Sequence, residues 1–161
     1  MPLGQHRQPP CERNRANRRL PCQTGAMANE NLRWRQRLES LQRALGQLKA
    51  ALAAHLADPA NEVIGMAVIK AYEFSFELSW KTLKDLLAYE GIDALLPREV
   101  LRQAFAYGLV SDGQLWIEML EQRNLMAHTY DVHRAQQALA MIRDRFAPAL
   151  LAQAAALEQR P

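Results

Sequence analysis

No run of apolar residues in this 161-residue chain approaches the roughly 20 needed to span a bilayer. The first residues are basic, but no apolar segment follows them, so they do not read as a secretory signal. With both absent, a cytoplasmic location is expected. There is no internal repeat, no Gly-rich phosphate loop and no βαβ pattern, which excludes P-loop and Rossmann chemistry. Metal-binding side chains are scarce as well, with two cysteines and four histidines. Cys11 and Cys22 are separated by ten residues with only His6 nearby, a poor spacing for a metal site. A structural disulfide between them is not expected in the cytosol. No cofactor and no protein-bound metal are therefore expected.

What the chain does have is apolar content and an uneven charge. Some 49% of residues are apolar, enough for one domain to bury a core without staples. The formal charge is +3, but residues 1–26 carry five arginines against Glu12, a net of +4, which leaves the remainder at −1. The basic character belongs to the first segment and the domain proper is close to neutral. Residues 1–27 also hold half of the prolines and show no apolar periodicity, so a disordered basic tail is expected there. Such a tail suits phosphate contacts. The alternative, which we favour, is sequence upstream of the true start, because Met27 stands just before the first helical pattern. The folded domain is then residues 28–161.

From there the chain reads as helices with short punctuation. Leu38, Leu41, Leu45, Leu48 and Leu52 recur at helical spacing and predict a first helix from about Asn31 to His55. A second is predicted from about Ala60 to Glu90. Within it Tyr72, Phe74, Phe76, Leu78 and Trp80 alternate strictly with polar residues, as in a strand. No glycine or proline interrupts residues 66–90, however, and a strand of that length is far outside the usual range. The segment is read as a helix, central to the bundle or buried in an oligomer as well. Gly91 closes it. Pro97 opens a third helix that Gly108 ends. Ser111 with Gln114 resembles a capping box for the fourth. A last helix follows Asp131, with Ala135, Leu139, Ile142 and Phe146 on one stripe, and Pro148 is expected to interrupt it. The fold class is all-α, an up-and-down helical bundle of about five helices.

One stretch gathers polar side chains where the pattern would otherwise be apolar: Arg123, Asn124, His128, Tyr130 and Asp131, within nine positions at a helix junction. Asn124 and His128, four apart, share one helical face. Arg123 and His128, five apart, lie about 140° apart on a regular helix. They converge only if the helix bends, if the arginine wraps round, or if a second subunit supplies one of them. The bland alternative is a capping histidine beside an ordinary solvated face. Glu73 and Glu77 form a carboxylate pair on the second helix, read as salt-bridged to Lys70 and Lys81 rather than as a metal site.

In combination these segments resemble the HEPN family, in the branch of nucleotidyltransferase substrate-binding proteins. Residues 72–85, from Tyr72 through Trp80 to Asp85, are similar to its central-helix signature. Pro97 to Val100 with Ala104, Phe105, Gly108 and Leu109 resemble its third helix and turn. Asp112 to Trp116 and the spacing Arg123-x4-His128-x-Tyr130 complete the likeness, over about residues 33–150.

The resemblance implies a homodimer that brings the Arg-x4-His segments together, and a metal-independent endoribonuclease acting as the toxin of a toxin–antitoxin pair. It implies Arg123 and His128 as the catalytic pair; Asn124, on the helical face of His128, and the neighbouring Asp131 are expected to support them. It further implies a minimal nucleotidyltransferase antitoxin that silences the toxin by AMPylation, adding AMP to Tyr130. With a neutral domain and no basic tail, affinity for an RNA substrate would have to come from a local patch. Two rivals belong to other classes. One is a non-catalytic nucleotide- or substrate-binding subunit of a two-component nucleotidyltransferase, and the other a pure interaction scaffold.

Overall fold

The leucine stripe of the first helix and the aromatic stripe of the second determine how the chain packs. A computed structural model describes the backbone of residues 23–126 and 132–160, and the side chains of residues 32–126 and 133–160. Helices α1 (Gln23–Ala57) and α2 (Glu62–Tyr89) form a long hairpin, followed by α3 (Pro97–Ala106) and α4 (Gly113–Met126). Then come α5 (Val132–Met141), a π-helical turn (Ile142–Phe146) and α6 (Ala147–Glu158), which run on without a break. The described residues thus form five rods, and the expected all-α bundle is what the chain adopts.

Leu38, Leu41, Leu45 and Leu48 of α1 are buried against α2, each contributing about 1.5–3 kcal/mol relative to exposure. The alternating stretch of α2 resolves as a helix. Tyr72, Phe76 and Trp80 stand four residues apart and are buried, while Phe74 points to solvent and is 56% exposed. A strand would have put all of them on one face. Asp85, at the end of α2, accepts hydrogen bonds from Arg33 (2.9 Å) and Arg37 (2.8 Å) in the first half of α1, clamping the open end of the hairpin. Asn61 caps α2 by accepting from the Val63 and Ile64 N–H groups.

Gly91 and Gly108 both adopt positive φ, at 80° and 68°. After each, the chain closes with the same pair of bonds. Ile92 N–H donates to Leu87 and Gly91 N–H to Ala88, and Leu109 N–H to Ala104 and Gly108 N–H to Phe105. These are Schellman closures that require a residue tolerant of the left-handed region. They turn the chain tightly enough to lay α3 across α2 and α4 beside both.

Three expectations need correction. The cap of α4 is Asp112, whose Oδ1 accepts from Leu115 N–H at 2.9 Å, and not Ser111. A carboxylate at that position also complements the positive end of the helix. Pro148 does not interrupt the last rod. In an α-helix its ring would clash with the carbonyl of Asp144. Here the preceding turn widens into π geometry, with Ala147 N–H bonded to Ile142 O, and Pro148 sits in the first turn of α6. Finally, α1 starts at Gln23, well before Asn31. No proline lies beyond Pro21 in that stretch, and extending an existing helix adds one backbone bond for each residue fixed.

Candidate functional site

The last turn of α4 brings Arg123 against the middle of α2. Its guanidinium lies 3.5 Å from a Glu77 oxygen and donates to Asn124 Oδ1 at 3.2 Å. Glu77 is better held by two other donors, Lys81 at 2.8 Å and the Trp80 indole at 3.0 Å. Burial acts to raise the Glu77 pKa. The hydrogen bonds from Lys81 and Trp80 and the charges of Lys81 and Arg123 outweigh it and hold the carboxyl below the usual range. Glu77 is therefore ionised at neutral pH, and Arg123 is the most loosely held of its three partners.

These side chains open into a pocket of about 300 Å³. Glu77 and Trp80 form one wall, Pro97 and Arg98 from the start of α3 another, and Arg123 and Asn124 the third. Arg98 is tied across the surface to Glu121 at 2.8 Å. A half-exposed guanidinium and an amide beside a partly open pocket can bind a phosphate or carboxylate.

The turn of α4 that carries Arg123 is fixed from below. The fully buried Tyr72 donates its hydroxyl proton to the Met119 carbonyl at 2.9 Å, and its ring stacks on Phe146 at 5.5 Å. Met119 O is also the regular α-helical acceptor for Arg123 N–H. Arg145 completes the support with two 2.7 Å bonds to Glu118. Burial pushes the Tyr72 phenol well above its ordinary pKa. The Arg123 charge opposes that shift, and Glu118 and Glu73 add to it.

Of the expected site residues, the structure brings Arg123 and Asn124 together at the pocket. His128, Tyr130 and Asp131 lie outside the described residues. The Glu73 and Glu77 ion pairs with Lys70 and Lys81 form as expected, at 3.2 and 2.8 Å. The sequence reading did not connect Glu77, Trp80 or Arg98 with Arg123. Their one signal was a carboxylate and an indole three residues apart on a largely apolar helix. His55 lies in the last turn of α1, at the expected helix end, and His133 lies in the first turn of α5. Among the described residues no three His, Cys, Asp or Glu side chains cluster in a way that would hold a metal ion. Among the same residues no helix is long and apolar enough to cross a membrane.

Comparison with known proteins agrees with this architecture. The chain is 35% identical over 81 residues to a protein of Haemophilus influenzae named probable ribonuclease HepT. That match covers 47% of this chain and 56% of the relative, so it spans only about half the length of either. Two solved structures superpose over most of the bundle. One is a protein of Thermus thermophilus, with TM-score 0.65 and 29% identity, covering 74% of this chain and 99% of that one. The other is Haemophilus influenzae HI0074, described as having the fold of a substrate-binding domain of a nucleotidyltransferase. It has TM-score 0.66 and 26% identity, covering 76% of this chain and 99% of that one. Residues 36–159, nearly all of the bundle, match the profile of one family, and the chain belongs to it: the nucleotidyltransferase substrate binding protein-like family.

Proposed function

We propose that this chain is a HEPN-type toxin, a metal-independent endoribonuclease silenced when a partner nucleotidyltransferase transfers AMP from ATP to the Tyr130 hydroxyl and releases pyrophosphate. The observation that carries the reading is the position of Arg123. It sits loosely held at the rim of a pocket, five residues ahead of His128 in the Arg-x4-His-x-Tyr spacing. The name of the Haemophilus relative points the same way.

The chemistry follows from the residue types. Cleavage needs a base to take the ribose 2′-hydroxyl proton as that oxygen attacks phosphorus. It needs an acid to protonate the leaving 5′-oxygen, and positive charge on the non-bridging oxygens. The products are a 2′,3′-cyclic phosphate and a 5′-hydroxyl. His128 carries an imidazole, the side-chain type suited to exchanging these protons near neutrality. Arg123 supplies the charge as a planar fork. When it turns from Glu77 to a phosphate, the Glu77 carboxylate keeps Lys81 and Trp80 as partners, so no charge is left bare. Asn124 and Asp131 support the pair. AMP on Tyr130 adds bulk and negative charge two residues from His128, where it competes for Arg123.

A homodimer is part of the proposal. Val63, Met66 and Phe74 lie within one face of α2 and are 72%, 64% and 56% exposed. Leu125, two residues past Arg123 on α4, is exposed as well, and exposed apolar side chains of this kind suit an interface with a second copy. A second reading, a non-catalytic nucleotide-binding subunit, is favoured by the description of HI0074, and the same pocket would then only grip phosphate.

The test is incubation of the isolated chain with labelled RNA in EDTA, alongside Arg123→Ala and His128→Ala. The proposal expects cleavage by the parent and a loss of at least about a hundredfold in each variant, the scale of general acid–base contributions. Full cleavage by His128→Ala would end it. ATP binding without cleavage by the folded parent would select the second reading.

A further inference from the structure

The domain without residues 1–26 is nearly neutral, so a ribonuclease built on it needs a local surface to grip its substrate. Arg98 stands at the edge of such a surface. It walls the Arg123 pocket on one side and, on the other, a groove of about 730 Å³ between α3 and the start of α4. Arg98 is thus common to the lining of both hollows. Arg102, one turn further along α3, lines the groove and makes no ion pair among the described residues. Phe105 follows three residues later, so Arg98, Arg102 and Phe105 share one helix face.

Phe105 is 52% exposed, although the same helix buries Val100, Leu101 and Ala104. It is backed by Gly113: a Cβ there would come within 2.8 Å of the ring Cγ. The glycine lets one side of the ring rest on the first turn of α4 and leaves the remainder facing the groove. The nearby acids each have a hydrogen-bond partner but keep their charge, and Asp112 itself lines the groove. Asp112 accepts from Leu115 N–H, Glu99 from Leu95 N–H, and Glu121 pairs with Arg98. Arg98 and Glu121 are both about half exposed, and a pair of that kind is weak enough to exchange for a phosphate.

We infer that the groove along Arg98, Arg102 and Phe105 is a binding track for single-stranded RNA, leading the strand into the Arg123 pocket. In this track Arg98 and Arg102 hold successive phosphates, and a base stacks on the open side of Phe105. An exposed aromatic beside spaced cations is what sequence-tolerant single-strand binding requires. The inference rests on the ribonuclease reading for its direction of travel, and its test separates the two.

The probe is a 2′-O-methyl oligoribonucleotide of about ten nucleotides, within the usual span of single-strand sites. It cannot be cleaved, and its binding to the full chain is followed by fluorescence anisotropy across a salt series. Arg102→Ala should weaken binding several-fold and flatten the log–log salt slope by about 0.7, one phosphate contact on a single strand. Phe105→Ala should weaken binding about fivefold or more and leave that slope unchanged. Arg102→Lys should restore the slope, which a general loss of structure would not allow. An unchanged affinity and slope in Arg102→Ala, or no binding by the parent, overturns the track. If Arg123→Ala still abolishes cleavage in that case, the ribonuclease reading survives without it. If both signatures appear but nothing is cleaved, the track stands and the ribonuclease reading fails. Arg102 and Phe105 variants that bind RNA normally but lose a nucleotidyltransferase partner would reassign the groove to protein binding.

Discussion

Replacing Tyr72 by phenylalanine removes one oxygen atom and separates packing from hydrogen bonding at the base of the site. The ring would keep its stack on Phe146 at 5.5 Å and its contact with Phe76 at 6.1 Å. Only the 2.9 Å bond to Met119 O is lost. That carbonyl keeps the Arg123 N–H as a helical donor, so it is not orphaned, and the cost is that of one hydrogen bond, about 1 kcal/mol. For a domain of this size the midpoint of thermal unfolding should fall by about 3–5 °C at pH 7.

The sign changes with alkalinity. Burial raises the Tyr72 pKa in the folded state above its ordinary value near 10. The stabilisation tied to the neutral phenol is therefore complete below pH 10 and lost as pH rises towards the folded value. One pH unit above 10, the parent loses about 1.4 kcal/mol through this residue, and the phenylalanine variant loses none. Parent and variant should thus cross near pH 11. Urea unfolding at a series of pH values measures the difference directly. A constant difference from pH 7 to 11 would refute the buried-phenol account.

Asp85→Ala leaves Arg33 and Arg37 without their shared carboxylate at the hairpin end and should cost about 2 kcal/mol. That is less than for a sealed pair because both arginines reach water, and urea unfolding should show it. Glu77→Gln removes the carboxylate that competes with phosphate for Arg123, so KM for RNA should fall several-fold with a steeper salt dependence. An unchanged or higher KM would contradict that role. The same variant should lose the acid-side contribution of Glu77. Its lowered pKa gives stability that is present above the ordinary carboxylate range and lost as pH falls through the depressed value. Phe74→Lys, at an exposed position on α2, should convert a dimer to a monomer in sedimentation without lowering the monomer's helicity.

How far the sequence led can be judged from particular residues. Gly91, Gly108 and Pro97 marked their helix ends because each acts through its own backbone, which depends on local sequence alone. The leucine stripe of α1 and the Tyr72–Phe76–Trp80 stripe of α2 were legible for the same reason. Pro148 was misread because its accommodation depends on a bond from Ala147 to Ile142 that only the π turn creates. Ser111 and Asp112 are adjacent capping residues, and the choice between them followed from where the Gly108 turn released the chain. At the site, the spacing of Arg123 and Asn124 was visible. The contact of Arg123 with Glu77 spans 46 residues and depends on how α4 crosses α2, which no local pattern encodes. The sharing of Arg98 between the Arg123 pocket and the α3 groove is tertiary in the same way.

The most direct test of the ribonuclease proposal is the chemistry of the RNA ends. The chain, produced without its partner, is incubated with RNA in EDTA beside an Arg123→Ala, His128→Ala double variant of matched helicity. The account predicts fragments ending in 2′,3′-cyclic phosphate and 5′-hydroxyl from the parent, and intact RNA from the variant. Intact RNA from both, with folded protein and several RNAs, would contradict it, as would equal cleavage by both.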